Sequence, residues 1–440
     1  MTGAEILGLV MLTVLIFVIF IGFPIAFTLL FLALAFGYFG MGAIVFDLAY
    51  FQTIGLMKEE VFAAVPLFIF MGYVTEQAGL MERLFRAFQI ILAPLRGSLY
   101  LGVILTATVF AMATGIVGAA VTVLGIMAAP IMMKTGYDAR VSAGAIAAGG
   151  TLGILVPPSV MLIVMGPVMG VSVAKLYAAA FGPGFMLASM YIAYTLTRSF
   201  LNPKIGPAVP HEERLHSFAA ALREVVLGMV PLGLLIAATL GSILGGLATP
   251  TEAASMGASG ALLLSITYRR FTWTGLQRAA ISTLTTSSMV LFLAVCSNVF
   301  GAVFARLGTA TVITKTMLAL PVPPFATLVL VMLLIFLLGW PFEWPAVILV
   351  FLPIFYPVVE ALKFDPVWFG ALVAINLQTA FLSPPVAMSA YYLKQVVPQW
   401  ELRTIYRGMA DFMVIQVIAL ILVMLFPQIA LWFPNYLFSP

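Results

Sequence analysis

Five residues recur along this 440-residue chain at one fixed offset. Pro94, Pro130, Asp138, Pro157 and Pro158 return 227 residues later as Pro321, Pro357, Asp365, Pro384 and Pro385. Proline fixes φ and lacks a donor N–H, so it sits where a helix starts, bends or stops. Prolines that repeat in register impose matching helix boundaries on two stretches of chain. The pattern predicts two copies of one unit, each with an apolar segment broken at a Pro-Pro pair. Paired interrupted helices in corresponding halves of a membrane protein point to a transporter's binding site.

Membrane embedding follows from composition. The chain is 63% hydrophobic and only 8% charged, whereas soluble domains carry about a quarter charged residues. Most of its surface must therefore face lipid. The N-terminus has no basic region and Glu5 precedes a long apolar run, so the first segment is expected to stay as a spanning helix. A net charge of +4 is scattered over helix ends, which excludes a nucleic-acid surface. The single cysteine, Cys296, and the two histidines, His211 and His216, leave no intramembrane His/Cys metal centre. No catalytic set or phosphate loop stands out, so the chain reads as a non-enzyme.

Apolar runs long enough to cross about 30 Å of hydrocarbon fall near 6–21, 24–42, 60–77, 139–168, 176–200, 226–247, 251–268, 280–303, 366–395 and 410–433. Two more, 97–133 and 322–361, are interrupted at Thr114–Gly118 and at Gly339–Pro345. A helix broken by Gly or Pro at mid-depth can turn back, so both are expected to be re-entrant hairpins. With the base of the first hairpin in the cytoplasm, only Lys58, Lys175, Arg306, Lys315 and Lys363 of the 20 basic residues lie outside, as the positive-inside rule prefers. Both termini are then periplasmic. Each half holds five crossings and a hairpin. Five is odd, so the halves are expected to be inverted repeats, 1–200 and 224–440. The polar stretch 201–223 joins them as a cytoplasmic linker with a surface helix at its end. Segments 80–91 and 399–408 alternate apolar and charged residues, which predicts helices lying along the membrane interface.

The residues that carry chemistry sit at the breaks. Gly149-Gly150-Thr151-Leu152-Gly153 precedes Pro157-Pro158. Such a run should unwind and free backbone carbonyls at mid-depth, where a cation such as Na⁺ is a suitable partner. The second copy offers Asn376, Gln378, Thr379 and Ser383 before Pro384. These polar groups face the bundle interior, either to bind solute or a second cation or to hydrogen-bond between helices. Glu343, at the second interruption, is paired, protonated or cation-bound if its tip is buried, and merely solvated if it is not. Glu252 follows Thr249-Pro250-Thr251 and is read as a helix-start carboxylate.

Taken together, Gly149–Gly166 with its Pro157-Pro158, the Ala248–Ala254 box and Asn376–Pro385 resemble the large membrane subunit of TRAP transporters, the tripartite ATP-independent periplasmic carriers. The likeness runs over essentially the whole chain. It implies an elevator-type, Na⁺-coupled importer of the bacterial inner membrane. Its expected partners are a small membrane subunit and a periplasmic solute-binding protein that delivers a carboxylate or sulfonate. A mobile transport domain would carry both hairpins and both broken helices, and a scaffold the rest. The resemblance places sodium at Thr114, Gly115 and Gly118 with Gly150, Thr151 and Gly153. A second sodium falls at Gly339, Trp340 and Glu343 with Gln378, Thr379 and Ser383. The organic anion falls near Thr114, Pro157, Asn376, Gln378 and Pro384. One departure stands out: the first tip usually carries several serines, and here Thr114 is its only hydroxyl. The second box, followed by Tyr391-Tyr392-Leu393-Lys394, looks like the branch that handles keto acids and other monocarboxylates. A stand-alone Na⁺/anion symporter of the same plan and an ion channel are the competing readings.

Overall fold

The computed structural model describes residues 2–208, 218–384 and 387–438, and among them every regular element is helical. The first half runs α1 (Gly3–Ile21), α2 (Ile25–Met41), α3 (Ile44–Met57), α4 (Ala64–Gln77), α5 (Leu80–Leu92), α6 (Ser98–Thr114), α7 (Val117–Lys134), α8 (Ala139–Leu155), α9 (Val160–Met169) and α10 (Val173–Leu201). The second runs α11 (Phe218–Ile236), α12 (Ser242–Leu244), α13 (Pro250–Thr267), α14 (Trp273–Arg306), α15 (Thr309–Leu318), α16 (Pro324–Leu338), α17 (Trp344–Ala346), α18 (Leu352–Ala361), α19 (Pro366–Gln378), α20 (Met388–Val396), α21 (Leu402–Leu425) and α22 (Gln428–Phe438). Five-residue π segments join α11 to α12 and α17 to α18. Among the described residues seven helices are long and apolar enough to span a bilayer, or nine if each bent pair counts as one span. The chain is a multi-pass, all-α membrane protein.

The repeated residues do the same local work in both places. Asp138 caps α8, accepting from the Val141 N–H, and Asp365 caps α19, accepting from Val367 and Trp368. Such a cap satisfies helix-start donors that have no intrahelical partner. Pro130 lies inside α7 and Pro357 inside α18. Helix boundaries keep the offset: Val117–Lys134 corresponds to Trp344–Ala361, and Ala139–Leu155 to Pro366–Phe381. After Pro157-Pro158 the chain resumes in α9, bent 41° from α8. In the second copy the helical backbone ends at Phe381 and resumes at Met388, with Pro385 outside the described residues.

Packing separates a core from a lipid-facing shell. Every residue of α8 from Val141 to Leu155 is buried, as is every residue of α19 from Trp368 to Gln378. Both arms of the first hairpin, α6 and α7, pack on α8, and α16 packs on α19. The halves also interlock: α7 lies against α20, and α18 lies against α9. Likewise α8 packs on α21 and α19 on α10. By contrast α1 and α2 expose Phe17, Phe20, Phe27 and Phe31, as lipid-facing helices do.

Small residues set the closest crossing. A Cβ added to Gly408 of α21 would lie 2.0 Å from the Arg140 carbonyl oxygen of α8, so the backbones touch as small-residue membrane interfaces allow. One turn along, Arg140 Nη2 reaches Asp411 Oδ1 at 2.6 Å, and the Tyr194 hydroxyl of α10 donates to Asp411 Oδ2 at 2.9 Å. Glu252 closes a capping box with Thr249 at the start of α13, as its sequence context predicts.

Several expectations need correction. Residues 44–57 and 309–318 form helices that the apolar runs did not single out. Their Asp47 and Lys315 and their short length hide them from a search for spanning runs. Segment 80–91 is a separate helix, bent 59° from its predecessor, with one face buried. Segment 399–408, however, is not a surface helix, because Leu402 starts a 24-residue helix that continues to Leu425. A turn at Phe426-Pro427 then divides the 410–433 run. The linker's last residues are the first turns of α11, which continues into the span; residues 209–217, His211 and His216 included, lie outside the described residues.

Candidate functional site

The first hairpin turns in three residues. Gly115 adopts the left-handed conformation at φ +61 and Ile116 is extended before α7 begins. Glycine takes such a φ without the Cβ clash other residues meet. This tip sits on the break between α8 and α9. A Cβ on Gly115 would lie 3.5 Å from the Pro158 carbonyl oxygen, and one on Gly153 would lie 3.7 Å from the Ile116 N and 3.8 Å from the Gly115 carbonyl carbon. Gly150 is closer still to α7, because its Cβ would fall 2.3 Å from Val121 Cγ2. The structure thus brings Gly115, Gly150 and Gly153 together beside the buried Pro157. Gly118 looks elsewhere, with its Cβ direction meeting the Tyr392 ring of α20 at 3.1 Å. Thr114 ends α6, and its side chain lies outside the described residues.

The second hairpin turns over Gly339–Glu343. Gly339 ends α16, and a Cβ there would lie 3.2 Å from Ala380 Cβ, in the turn that follows α19. Ala380 lies 227 residues after Gly153, so tip and broken helix meet at corresponding places in both halves. Trp340 is 37% exposed, with its ring against Phe336. Glu343 precedes α17 and makes no side-chain capping bond. Protein encloses it on most sides, yet its side chain remains accessible, as at the edge of an open cleft. The phenol of Tyr392 lies within electrostatic reach of Glu343 and of Tyr73 on α4.

The polar groups of the second box divide in role. Asn376 Nδ2 donates to the Met332 carbonyl oxygen of α16 at 2.7 Å, a bond between helices, while its Oδ1 has no protein partner. Thr379 Oγ1 donates to the Asn376 carbonyl at 2.6 Å. The Ser383 hydroxyl is buried without a protein partner. Pro384 is exposed.

Sequence reasoning missed Gln416. Its Nε2 donates to Thr151 Oγ1 at 3.3 Å and to Gln378 Oε1 at 3.4 Å, both at the long end for a hydrogen bond. Thr151 and Gln378 are themselves 227 residues apart. One amide on α21 therefore joins corresponding positions of the two broken helices, with the Tyr191 hydroxyl beside it. Gln378 Nε2 and Gln416 Oε1 keep unused hydrogen-bonding capacity in a fully buried place. The signal was present: a glutamine inside the 410–433 apolar run is as costly there as Gln378 is in its own.

A cavity of about 530 Å³ opens between α3 and α14 on one side and α9 and the π segment Val347–Phe351 on the other. Gln52, Glu59, Ser297 and Asn298 give it a polar wall, and Pro167, Leu349 and Val350 an apolar one. Among the described residues no group of His, Cys, Asp and Glu could hold a transition metal.

The family profile described as "Tripartite ATP-independent periplasmic transporter, DctM component" matches residues 12–429. The chain belongs to the TRAP transporter large permease family. It is 31% identical to the sialic acid TRAP transporter large permease protein SiaM of Vibrio cholerae, over 95% of this chain and 96% of that one. It is 28% identical to the C4-dicarboxylate large permease DctM of Rhodobacter capsulatus, over 87% and 88% of the two chains. The isethionate permease DctMQ of Oleidesulfovibrio alaskensis is 30% identical over 74% of this chain, which spans 51% of that longer protein. Among solved structures, the Alcanivorax borkumensis YdaH transporter superposes with a TM-score of 0.62 at 16% identity, covering 90% of each chain. That likeness is one of fold. The relatives are transport permeases, so this TRAP permease is a transporter and not an enzyme.

Proposed function

We propose that this TRAP permease is the large subunit of a Na⁺-coupled importer that moves a small organic anion across the bacterial inner membrane. One observation carries the reading. In each half a hairpin tip abuts a broken helix at corresponding positions, Gly115 with Gly153 and Gly339 with Ala380. Chain breaks inside buried, lipid-spanning segments leave carbonyl dipoles that need partners, and Na⁺ is a small cation suited to oxygen ligands. Gly115, Gly118, Gly150, Thr151 and Gly153, with Thr114, form the first sodium site. Gly339, Trp340, Glu343, Gln378, Thr379 and Ser383 form the second.

The unpaired Asn376 Oδ1 and Ser383 hydroxyl, with Pro157 and Pro384, supply contacts for the anion or its cation. Its class is that of the relatives' solutes: a carboxylate, keto acid or sulfonate. The two halves are inverted repeats, which the interlocked packing of α7 on α20 and α18 on α9 supports. The hairpins with α8, α9, α19 and α20 form a transport body. The cleft between α14 and α9 is the boundary along which it slides as an elevator, and such a rigid-body shift is a familiar route to alternating access. A small membrane subunit and a periplasmic solute-binding protein complete the system, and both termini face the periplasm.

Reconstitution tests it. Proteoliposomes holding this chain with its small subunit are given the binding protein and labelled sialic acid, a C4-dicarboxylate, isethionate or a 2-keto acid. Saturable uptake that collapses when an inward Na⁺ gradient is replaced by K⁺ is expected. Uptake indifferent to Na⁺, or driven without the binding protein, overturns the reading.

A further inference from the structure

Two adjoining cavities lie where α5, α11 and α13 meet, and neither is lined by a hairpin tip. The first is a groove of about 620 Å³ between α11 and α13, walled by Leu227, Pro231, Leu234, Met256 and Leu263. The second, about 420 Å³, is lined by Arg83, Arg86, Arg223 and Arg270 with Glu82 and Glu224. Arg83 and Leu227 line both, and Arg269 stands at the mouth of the first. Five arginines thus face two carboxylates, and among the described residues none of the five is ion-paired.

The local chemistry holds this mouth in shape. Pro231 sits inside α11 and has no N–H to offer the Leu227 carbonyl one turn back. The freed carbonyl accepts instead from the Tyr268 hydroxyl at 2.6 Å. The Tyr268 ring then carries the Arg83 guanidinium 4.7 Å from its centre, a cation–π contact that leaves the guanidinium N–H groups free to donate. Arg269 occupies the left-handed region at φ +55 where α13 ends.

The groove's dimensions suit one leaflet. Met256 to Tyr268 on α13 is 12 residues, or about 18 Å of helix, against about 15 Å for half of the hydrocarbon core. Leu234, Leu263 and Met256 are 65%, 66% and 48% exposed, so the groove opens sideways to lipid. A transmembrane partner helix would need a track through both leaflets, whereas this groove ends at a basic pocket after one. We propose that it seats one anionic phospholipid, an acyl chain between α11 and α13 and the phosphate among Arg83, Arg86, Arg223 and Arg270. Basic pockets between membrane helices recognise anionic headgroups in this way.

Native mass spectrometry of the purified chain tests it, with phosphatidylglycerol and phosphatidylcholine of identical chains as probes. Preferential retention of phosphatidylglycerol is expected. Arg83→Gln with Arg270→Gln should weaken it by roughly five-fold per arginine. Met256→Trp, which fills the exposed groove and leaves the arginines in place, should weaken both lipids. Equal retention of the two lipids, or an unchanged preference in the arginine variant, overturns the assignment. So does displacement of the lipid by glycerol phosphate alone, which would show that the groove adds nothing. Loss of bound phosphatidylglycerol on adding the small subunit would make the groove a subunit seat and would also overturn it.

Discussion

Gly150 on α8 and Val121 on α7 are in such close contact that a single methyl group cannot be added between them. A Cβ on Gly150 would sit 2.3 Å from Val121 Cγ2 and 3.1 Å from its backbone N. Two positions along, a Cβ on Gly153 would meet nothing nearer than 3.7 Å. Gly150→Ala should therefore push the hairpin arm off α8 and destabilise the fold by about 1–3 kcal/mol, the range for overpacking. Gly153→Ala fits at ordinary contact distance and should hold the melting temperature of the purified protein. Thermal unfolding in one detergent checks the pair. Equal melting temperatures for both variants would show that the arms do not pack as described.

The hairpins, the broken helices and the capped starts at Asp138 and Asp365 were legible in the sequence because proline and aspartate act locally. Each restricts φ or satisfies a donor within a few residues, so its effect needs no knowledge of the rest of the chain. Gln416 was not legible as a partner of Thr151 and Gln378. That triangle exists only because α21 crosses both broken helices, and contacts 265 and 38 residues apart leave no trace in local spacing. The 399–408 segment misled for a related reason: a helix that begins at the lipid boundary and continues into it starts with the same alternation as one that lies flat. The short helices at 44–57 and 309–318 fall below the length at which apolarity alone identifies a span.

Gln416→Leu should separate a packing role from a bridging one. Leucine has nearly the same volume, so the loss is that of the two amide contacts. Interhelical hydrogen bonds in membrane proteins are worth about 0.6 kcal/mol on average, and both contacts are long. A loss of roughly 1 kcal/mol is expected, read as a small drop in melting temperature. If Gln378 serves the second sodium site as proposed, Gln416→Leu and Gln378→Ala should both raise the half-saturating Na⁺ concentration for uptake. An unchanged Na⁺ dependence in both would remove Gln378 from the site.

Asp411 ties three helices together at one end of the bundle, through Arg140 of α8 and Tyr194 of α10. The Arg140 and Asp411 side chains remain 44% and 22% exposed, so solvent screens the pair. A double-mutant cycle over Arg140→Gln and Asp411→Asn should return a coupling of about 0.2–1 kcal/mol that shrinks in high salt. Asp411→Asn keeps an acceptor for the Tyr194 hydroxyl, so the Tyr194→Phe change should cost about the same in either background. A coupling above about 2 kcal/mol would mean that the pair is far drier than its exposure indicates.

Glu343 offers the sharpest test of the second hairpin tip. Its side chain is accessible, and α17 draws no capping bond from it. Glu343→Gln is isosteric and leaves no packed contact or hydrogen bond to lose, so thermal stability should stay within about 0.5 kcal/mol of wild type, as for other surface changes. Transport should respond differently. A carboxylate beside the proposed second sodium contributes charge that an amide lacks, and attraction across such a cleft is weakly screened. The half-saturating Na⁺ concentration should rise several-fold, while uptake at saturating Na⁺ recovers most of its rate. Uptake measured against Na⁺ at fixed ionic strength separates the two outcomes. A wild-type Na⁺ curve would place the cation away from Glu343 and leave the tip's backbone as its only contact with that site.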